Sequence, residues 1–352
     1  YRVDRVEQTE SQTVEAVRVE PGVYLPREQV DSGPSIRPFT PPVPVFPVFL
    51  DLPLLTGQEV PHAPYIAVGA DPWPGSVAVW SSSDDAGYEL NRLVAAPAVI
   101  GVTETPLTYH RPGLWDLGAP LRVRISGGDL SSASRTSVLN GANAMAIGDG
   151  SGANWEIFQF ADAQVVAPDT YELSVRLRGQ LGTDGIMPPV WSAGSTVVLL
   201  DLALTQLDLA SSARGLARYY RVGAASRGYD LSTVVLRNEA FDGIGLRPYR
   251  VAHLRHHDTA GDVQLSWKRR TRLEGDSWQS TEVPIGEENE AYLVRVIQSE
   301  EVIAEYTVAQ PSFLYSNAMR AVDGVSGSFL MAVAQLSASF GPGPFRRIEL
   351  AP

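Results

Sequence analysis

The chain has 352 residues, no cysteine, a single lysine (Lys268) and a formal net charge of −12. Without cysteine it has no disulfides, thiolate metal sites or cysteine nucleophiles, and a single lysine removes nearly all Schiff-base chemistry. The acidic balance argues against nucleic-acid binding by this chain, because the neutralisation of phosphates needs a basic face.

Glycine and proline are abundant, at 31 and 26 residues, and no run of 18 apolar residues occurs. This composition favours many turns and short strands, and it predicts no transmembrane helix. The length leaves room for two or three domains, each with its own core. The chain starts without methionine and without a signal-peptide pattern, so we expect a segment of a longer protein.

Residues 1–24 are predicted to contain a β-hairpin. Two valine-bearing stretches, with Val3 and Val6 in the first and Val14 and Val17 in the second, flank a polar break. An isolated hairpin is only marginally stable in water. We therefore interpret it as the terminal hairpin of an upstream domain, with a hairpin of the following domain as the alternative.

Residues 25–47 are predicted to form a proline-rich linker. Five prolines between Pro38 and Pro47 favour polyproline II and exclude a central sheet position. The interleaved Phe39 and Phe46 indicate that the segment packs on a domain surface. A packed, extended linker is preferred here over a proline-rich docking ligand.

Residues 48–244 are predicted to form a β-rich middle domain. Strand candidates recur at short intervals, at 65–68, 76–80, 88–90, 98–102 and 121–125, which is typical of a sandwich or barrel. Residues 130–143 are expected to hold a short helical turn. Between residues 171 and 178, apolar and polar residues alternate, so we predict a buried face with Tyr171 and Leu173 and a polar face with Arg176 and Arg178.

Residues 245–352 are predicted to form a fibronectin type III-like sandwich. Val263, Leu265 and Trp267 share one face of a strand, and further strands are expected at 248–251, 292–296, 302–306 and 329–336. The early tryptophan and a late strand ending in a Gly-Pro turn are typical of that fold. The stretch 269–289 is an insertion where the fold has a short loop. The whole chain is thus assigned to the all-β, multi-domain class.

Candidate metal and catalytic motifs favour simpler structural interpretations. His256, His257 and Asp258 are read as a solvated turn, because neighbouring strand residues point to opposite faces. The Asp84-Asp85 pair lacks the spacing of a calcium loop, and residues 148–152 are predicted to be a hairpin turn. We therefore predict no catalytic, metal or cofactor site and no enzymatic activity. An enzyme with two carboxylates across a middle-domain cleft is the alternative.

Two tryptophans are the candidates for contact with a glycan or a partner. Trp191 and Trp278 lie in polar, turn-rich contexts, so either one is predicted to be an exposed platform. Trp155 and Trp267 are assigned to cores because they lie within apolar strand patterns.

Several short motifs occur in an order that resembles a known family. Within the stretch from Trp155 to Asp201 and just before it, the pieces are LNGAN from Leu139, QFADA from Gln159, RGQLGT from Arg178 and VLLD from Val198. They resemble the C-terminal part of the large tail-tip protein of gene transfer agents and siphophages. This family is called the baseplate megatron or TIM-barrel-like host-specificity protein. Further pieces around Trp73, Trp115 and the insertion 269–289 extend the resemblance over nearly the whole chain.

The resemblance implies a structural component of a phage-like tail tip, or baseplate, that attaches to the host cell surface and takes part in DNA delivery. It implies a homotrimer around the tail axis that contacts hub and distal tail proteins and a cell-envelope polysaccharide or receptor. The upstream domain would be hub-like, and the particle would assemble in the bacterial cytoplasm and act outside the cell. The family's glycosidase-like barrel lies N-terminal of this region. A carbohydrate-binding module for cell-surface polysaccharide is the alternative, which exposed coplanar tryptophans would favour.

Overall fold

The computed structural model describes residues 1–20, 43–259, 261–273, 275 and 283–351. Strands make up nearly all of its regular structure, which confirms the predicted all-β, multi-domain class. The chain divides into two compact units, Tyr1–Pro41 and Pro42–Pro352. Among the described helices, none has the length and apolar character that crossing a bilayer requires.

The first unit carries the predicted hairpin, formed by β1 (Arg2–Gln8) and β2 (Gln12–Val17). The strands are antiparallel, and Val6 lies directly opposite Val14. Both valines are about half exposed, at 52% and 51%. Within residues 1–20, the described part of this unit, the apolar pair is therefore largely uncovered.

The second unit begins with sixteen strands and one short helix, α1 (Arg135–Leu139), which confirms the helical turn predicted there. In chain order the strands are β3 (Phe46–Leu50), β4 (Tyr65–Gly69), β5 (Val77–Ser82), β6 (Glu89–Val94), β7 (Ile100–Thr103), β8 (Leu107–Thr108), β9 (Trp115–Asp116), β10 (Leu121–Ser126), β11 (Ala144–Gly148), β12 (Trp155–Ala167), β13 (Thr170–Gln180), β14 (Val190–Trp191), β15 (Thr196–Leu199), β16 (Thr205–Gln206), β17 (Arg218–Ala224) and β18 (Val235–Glu239). Short 3₁₀ helices occur at Thr183–Gly185, Ser211–Ala213 and Ile244–Leu246.

Six of these strands close into an antiparallel barrel. The order is β10-β7-β15-β11-β12-β13, and β13 pairs back onto β10, with Leu173 opposite Leu121. The inward side chains form one core, which includes Val123, Phe158 and Val197. Closure removes the free edges that an open sheet would present.

Two smaller sheets share a second core beside the barrel. They have the orders β16-β4-β3 and β18-β17-β5-β6. Phe49, Val79 and Tyr220 pack together in this core. Strand β3 starts inside the predicted linker, and Pro47 pairs with Val68. The proline is tolerated because β3 is an edge strand, whose outer side needs no ladder donor. Predicted linker residues 25–42 lie outside the described residues.

The C-terminal part is a sandwich. Its strands are β19 (Ala252–Thr259), β20 (Asp262–Lys268), β21 (Tyr292–Gln298), β22 (Glu301–Val308), β23 (Ser312–Tyr315), β24 (Phe329–Ser337), β25 (Gly341–Pro342) and β26 (Arg346–Leu350), with helix α2 at Asn317–Val322. One sheet has the order β19-β20-β23, and the other has β22-β21-β24 with β26 on β24. This three-plus-four arrangement is that of a fibronectin type III-like sandwich.

The sandwich core confirms the assignment of Trp267 and corrects two details. Trp267 is 2% exposed and packs edge-on against Tyr292, with ring centroids 5.1 Å apart. The predicted strand at 248–251 is wrong, because the first strand starts at Ala252. The predicted turn at His256 to Asp258 is also wrong, since these residues lie within β19. The strand pattern there was missed because its side chains are exposed and polar on both faces.

Candidate functional site

A buried ion pair lies at one end of the barrel. Glu156 on β12 and Arg178 on β13 have fully buried side chains, and they form two parallel hydrogen bonds. Arg178 Nε donates to Glu156 Oε1 at 2.7 Å, and a terminal guanidinium nitrogen donates to Oε2 at 2.8 Å. The Gly179 N–H donates to Oε1 at 3.2 Å, and the Trp191 indole N–H donates to Oε2 at 2.6 Å.

This geometry makes the pair structural. Both carboxylate oxygens of Glu156 accept two hydrogen bonds, and neither is accessible to solvent. Two buried charges are tolerated only when the geometry is good and the remaining lone pairs are satisfied, and both conditions hold here. The pair therefore holds β12, β13 and β14 together at this end of the barrel.

The burial of both arginines corrects the predicted polar face of β13. Arg176 is 1% exposed and Arg178 is fully buried. Val175 between the two halves of the strand adopts a left-handed φ of +54°. Before it, Tyr171 and Leu173 belong to the barrel core; after it, Leu177 packs in a different cluster. The reversal at Val175 turns the arginines inward.

A second buried pair extends the cluster. Arg176 donates to Asp116 at 3.0 and 3.1 Å, and Arg178 lies 3.9 Å from the same carboxylate. Burial alone would raise the pKa of Asp116, but the Gly118 N–H and the charge of Arg176 hold this pKa below its usual value. The site therefore keeps Asp116 ionised.

The cluster fixes both ends of a surface segment, residues 109–117, which contains the short strand β9 near its end and which we call the apolar loop. Arg178 donates to the Thr108 carbonyl at 2.6 Å, just before the loop, and Arg176 binds Asp116 near its end. Within the loop, Tyr109, Leu114 and Leu117 are 50%, 53% and 67% exposed. Hydrogen bonds from buried arginines therefore hold both ends of the apolar loop and fix its position.

Trp191 does not have the exposed position predicted for it. The side chain is only 4% exposed, and its indole N–H is bonded to Glu156. A ring in this position cannot stack on a glycan, so the platform prediction for Trp191 is wrong. The local sequence did not reveal this burial, because the hydrogen-bond partner Glu156 lies 35 residues away along the chain. The other candidate, Trp278, lies outside the described residues.

The RGQLGTDG stretch, which begins at Arg178, joins the barrel to the C-terminal sandwich. Asp184 is 6% exposed and accepts hydrogen bonds from Arg250 at 2.9 Å and from Arg270 at 2.8 Å. Gly182 has a φ of +79°, and a Cβ atom there would overlap the Tyr249 ring. We call these contacts the junction. It fixes the sandwich directly on the barrel loop that continues from the buried ion pair.

Asp51 holds the chain segment that leads into the sandwich. Its carboxylate is 2% exposed and accepts hydrogen bonds from the backbone N–H groups of Gly243 at 2.9 Å and Ile244 at 2.8 Å. Burial raises the pKa of Asp51 to about 6, although the backbone N–H groups act in the opposite direction. The connection is thus a fixed segment that contains a buried titratable group.

A group of aromatic and charged side chains lies on the side of the four-stranded sheet that faces away from its core. Leu90, Trp80, Arg221 and Leu236 lie directly opposite one another across β6, β5, β17 and β18. Arg221 lies over the Tyr88 ring, 4.6 Å from its centroid. We call this surface the outer sheet face.

The outer sheet face is apolar with an acidic border. Leu90, Leu93 and Leu236 are 56%, 55% and 44% exposed. Asp85 and Asp230 both form ion pairs with Arg221. Exposed apolar patches mark interaction sites, and tryptophan, tyrosine and arginine are enriched among the residues that dominate binding.

Among the described residues, no group of three or more His, Asp or Glu side chains is arranged to hold a metal ion. His256 and Asp258 on β19 are 3.8 Å apart, and both are at least a third exposed. Asp84 and Asp85 lie in the turn between β5 and β6, and Asp85 is engaged with Arg221.

Comparison with protein families finds a match to part of the chain. A family model described as Rcc01698-like, C-terminal, matches residues 98–198. These residues start just before β7 and end within β15, so the matched segment coincides with the closed barrel. The match therefore covers less than half of the chain.

Other comparisons add little. None of the curated proteins matches this chain. Among solved structures, the extracellular region of rat CD45, domains d3-d4, is similar at 8% identity and a TM-score of 0.23. The match covers 34% of this chain and 55% of that one, so this chain spans about half the length of the CD45 fragment. A likeness this weak carries no argument about fold or function.

Proposed function

We propose that this chain is a structural component of a phage-like tail tip of the gene transfer agent type, which acts in attachment to the host cell surface and in DNA delivery. The observation that carries the proposal is the coincidence of the matched family segment with the closed barrel. The motifs LNGAN, QFADA and RGQLGT, on which the resemblance rests, lie in or beside the same barrel.

The arrangement of the barrel and sandwich supports a mechanical role. The buried ion cluster stabilises one end of the barrel, and the junction at Asp184 connects that end to the sandwich. A tail-tip component has to transmit force and keep its surfaces in fixed positions. Under this proposal the chain surrounds the tail axis as a homotrimer, contacts hub and distal tail proteins, meets an envelope polysaccharide or receptor, and carries out no catalytic step.

Electron cryomicroscopy of particles from a producing strain tests this role. We expect three copies of the barrel and sandwich around the axis at the tail tip, and a Fab fragment against the sandwich should decorate only that end. A Fab fragment against the major capsid protein is the control. Density for this chain in the capsid, or normal tails in particles that lack it, would contradict the proposal.

A carbohydrate-binding module is the second candidate, and one observation favours it. Trp80 and Tyr229 are half-buried aromatic rings on the outer sheet face, with ring centroids 5.9 Å apart, and Asp230 and Arg221 lie beside them. Aromatic side chains with a few well-placed polar groups are the usual lining of small-molecule sites, although these two rings meet at 61° and are not coplanar. Affinity electrophoresis in host capsular polysaccharide tests this candidate: retardation of the chain that Trp80→Ala removes would support it.

A further inference from the structure

The apolar loop is locally basic in an acidic protein. Among its nine residues and the immediate neighbour Gly118, the exposed charged side chain is Arg111, and His110 is partly exposed. Asp116, the acidic residue of the loop, is buried against Arg176. Arg135 also lies over the Trp115 ring, at 5.5 Å from its centroid. The loop thus presents leucine and tyrosine side chains among positive charges, while the chain as a whole has a net charge of −12.

The outer sheet face has the complementary character. It presents exposed leucines, and the carboxylates of Asp84, Asp85 and Asp230 border it. Of the nearby cations, Arg221 is 24% exposed at its side chain and is already paired with two of these carboxylates. Arg227, in the connection between β17 and β18, is a second cation and is exposed, so the three carboxylates outnumber these two arginines.

We propose that the apolar loop of one copy of this chain docks on the outer sheet face of a second copy. Both surfaces are apolar at the centre, and their borders carry opposite charge, which steers association and selects the register. The two surfaces differ, so the contact is heterologous: each copy offers one loop and one face, and repetition of the contact generates a ring or a chain of copies.

The rigid base of the loop favours this arrangement. Binding of a mobile loop would lose affinity because the loop has to be ordered. Here Arg178 and Arg176 already hold both ends of the segment from inside the barrel. The proposal deepens the proposed function, since it names the surfaces by which copies in a tail tip would contact one another. It also stands on its own, because self-association is measured on the isolated chain.

The test uses sedimentation equilibrium of the chain over a wide range of concentration. The loop variant combines Arg111→Glu with Leu114→Asp, and the face variant combines Leu90→Lys with Leu93→Lys; all four side chains are exposed. We expect the unmodified chain to self-associate as its concentration rises. Each variant alone should associate at least about tenfold more weakly, which corresponds to a loss of about 1.4 kcal/mol. Circular dichroism should show unchanged folding.

An equimolar mixture of the two variants is the decisive measurement. The intact loop of the face variant should bind the intact face of the loop variant, so the mixture should form dimers and nothing larger. The control combines Leu202→Asp with Val322→Asp, at exposed positions remote in sequence from both surfaces, and should associate normally. The proposal is overturned if the unmodified chain stays monomeric, if both variants associate like the control, or if the mixture stays monomeric. A different result would assign the loop to a membrane. The unmodified chain would then bind anionic phospholipid vesicles without self-associating, and the loop variant would lose the vesicle binding.

Discussion

Glu156 and Arg178 illustrate how much a single buried charge depends on its partner. Their side chains are fully buried, and each satisfies the other through two hydrogen bonds. Removal of one partner leaves an unpaired charge buried in the barrel. The free-energy cost of that charge is much larger than the net stabilisation that the intact pair contributes.

Glu156→Ala should therefore lower the free energy of unfolding by about 3–5 kcal/mol, as measured by urea denaturation. The matched control is Glu172→Ala, which breaks the exposed pair of Glu172 with Arg122 and should cost no more than about 1 kcal/mol. The double variant Glu156→Leu with Arg178→Met should recover much of the loss, because it removes both charges together. Equal effects of the two single substitutions would contradict this account.

Trp267→Ala should lower the free energy of unfolding by about 3–5 kcal/mol through lost apolar burial and a residual cavity. The indole is 2% exposed in the sandwich core. Calorimetry of the whole chain should show a clear drop in the melting temperature of the sandwich. Leu314→Ala, at a position 49% exposed on the neighbouring strand, is the control and should change it little. A melting temperature within about one or two degrees of the unmodified protein would refute the core assignment.

Asp51 should make stability depend on pH in the direction opposite to most carboxylates. Its pKa is raised from 3.8 to about 6, so the folded state holds the proton more tightly than the unfolded state. The stability that this group contributes is fully present below pH 3.8 and is lost as pH rises through about 6. The free energy of unfolding relative to Asp51→Asn should fall by an amount on the order of 3 kcal/mol between pH 4 and pH 7.

Asp149 provides the control for that pH profile. Burial would raise its pKa, but hydrogen bonds from Ser151 and Asn154 outweigh this effect and lower the pKa. The difference between the unmodified chain and Asp149→Asn should therefore rise with pH over the acidic range. A flat profile for Asp51→Asn would show that its carboxylate titrates normally in the folded state.

At the scale of single elements, alternation predicts that β13 is a strand but not which way each residue points. The pattern from Tyr171 to Arg178 is regular, and the strand is present. A single left-handed residue, Val175, reverses the alternation, and the partners that stabilise this reversal lie on β12 and β9. Sequence reasoning could not find them, because Asp116 and Glu156 become neighbours of the arginines only after the barrel closes.

The junction also depends on contacts that sequence does not show. The glycines of RGQLGTDG predict a break in the strand, and Gly182 is indeed left-handed with a φ of +79°. Its second role, close packing against Tyr249, requires knowledge of where the sandwich lies.

Gly182→Ala should destabilise the chain in two ways, through backbone strain and through overlap with the Tyr249 ring. Gly194→Ala is the matched control, because Gly194 has a φ of +89° but open space around its Cβ position. Urea denaturation should show a larger loss for Gly182→Ala, by about 1–3 kcal/mol for the added overpacking. Equal losses of stability would mean that Tyr249 moves away from the added methyl group at no cost in free energy.

At the scale of the whole molecule, the sequence predicts the domain classes better than their topology. Short, regularly spaced strands predict a sandwich or barrel, and the unit contains both. The sequence pattern does not predict the strand order of the barrel. The barrel closes through the pairing of β10 with β13, which lie some fifty residues apart along the chain. By contrast, the alternation at Val263, Leu265 and Trp267 identifies the sandwich core correctly, because that pattern is local.

Limited proteolysis should first cut the chain between Pro26 and Pro47, most readily in the polar part from Glu28 to Gly33. The prediction rests on the proline-rich, polar composition there, and these first cleavage sites lie outside the described residues. Mass spectrometry of early fragments identifies the sites. Residues 171–200 serve as the internal control, because they include strands β13 and β15 of the closed barrel. A first cut within them would contradict the expected boundary.

Closure of the barrel has a consequence for how the protein is made. Strand β7 begins at Ile100, and its partner β15 begins at Thr196, nearly a hundred residues later. At a synthesis rate of about 5–20 residues per second, β7 waits roughly 5–20 seconds on the ribosome before β15 emerges. Its other edge pairs with β10, but the edge that pairs with β15 is open to other nascent chains during that interval. The yield of folded protein should therefore depend more on chaperone supply and expression rate than on the stability of the finished barrel.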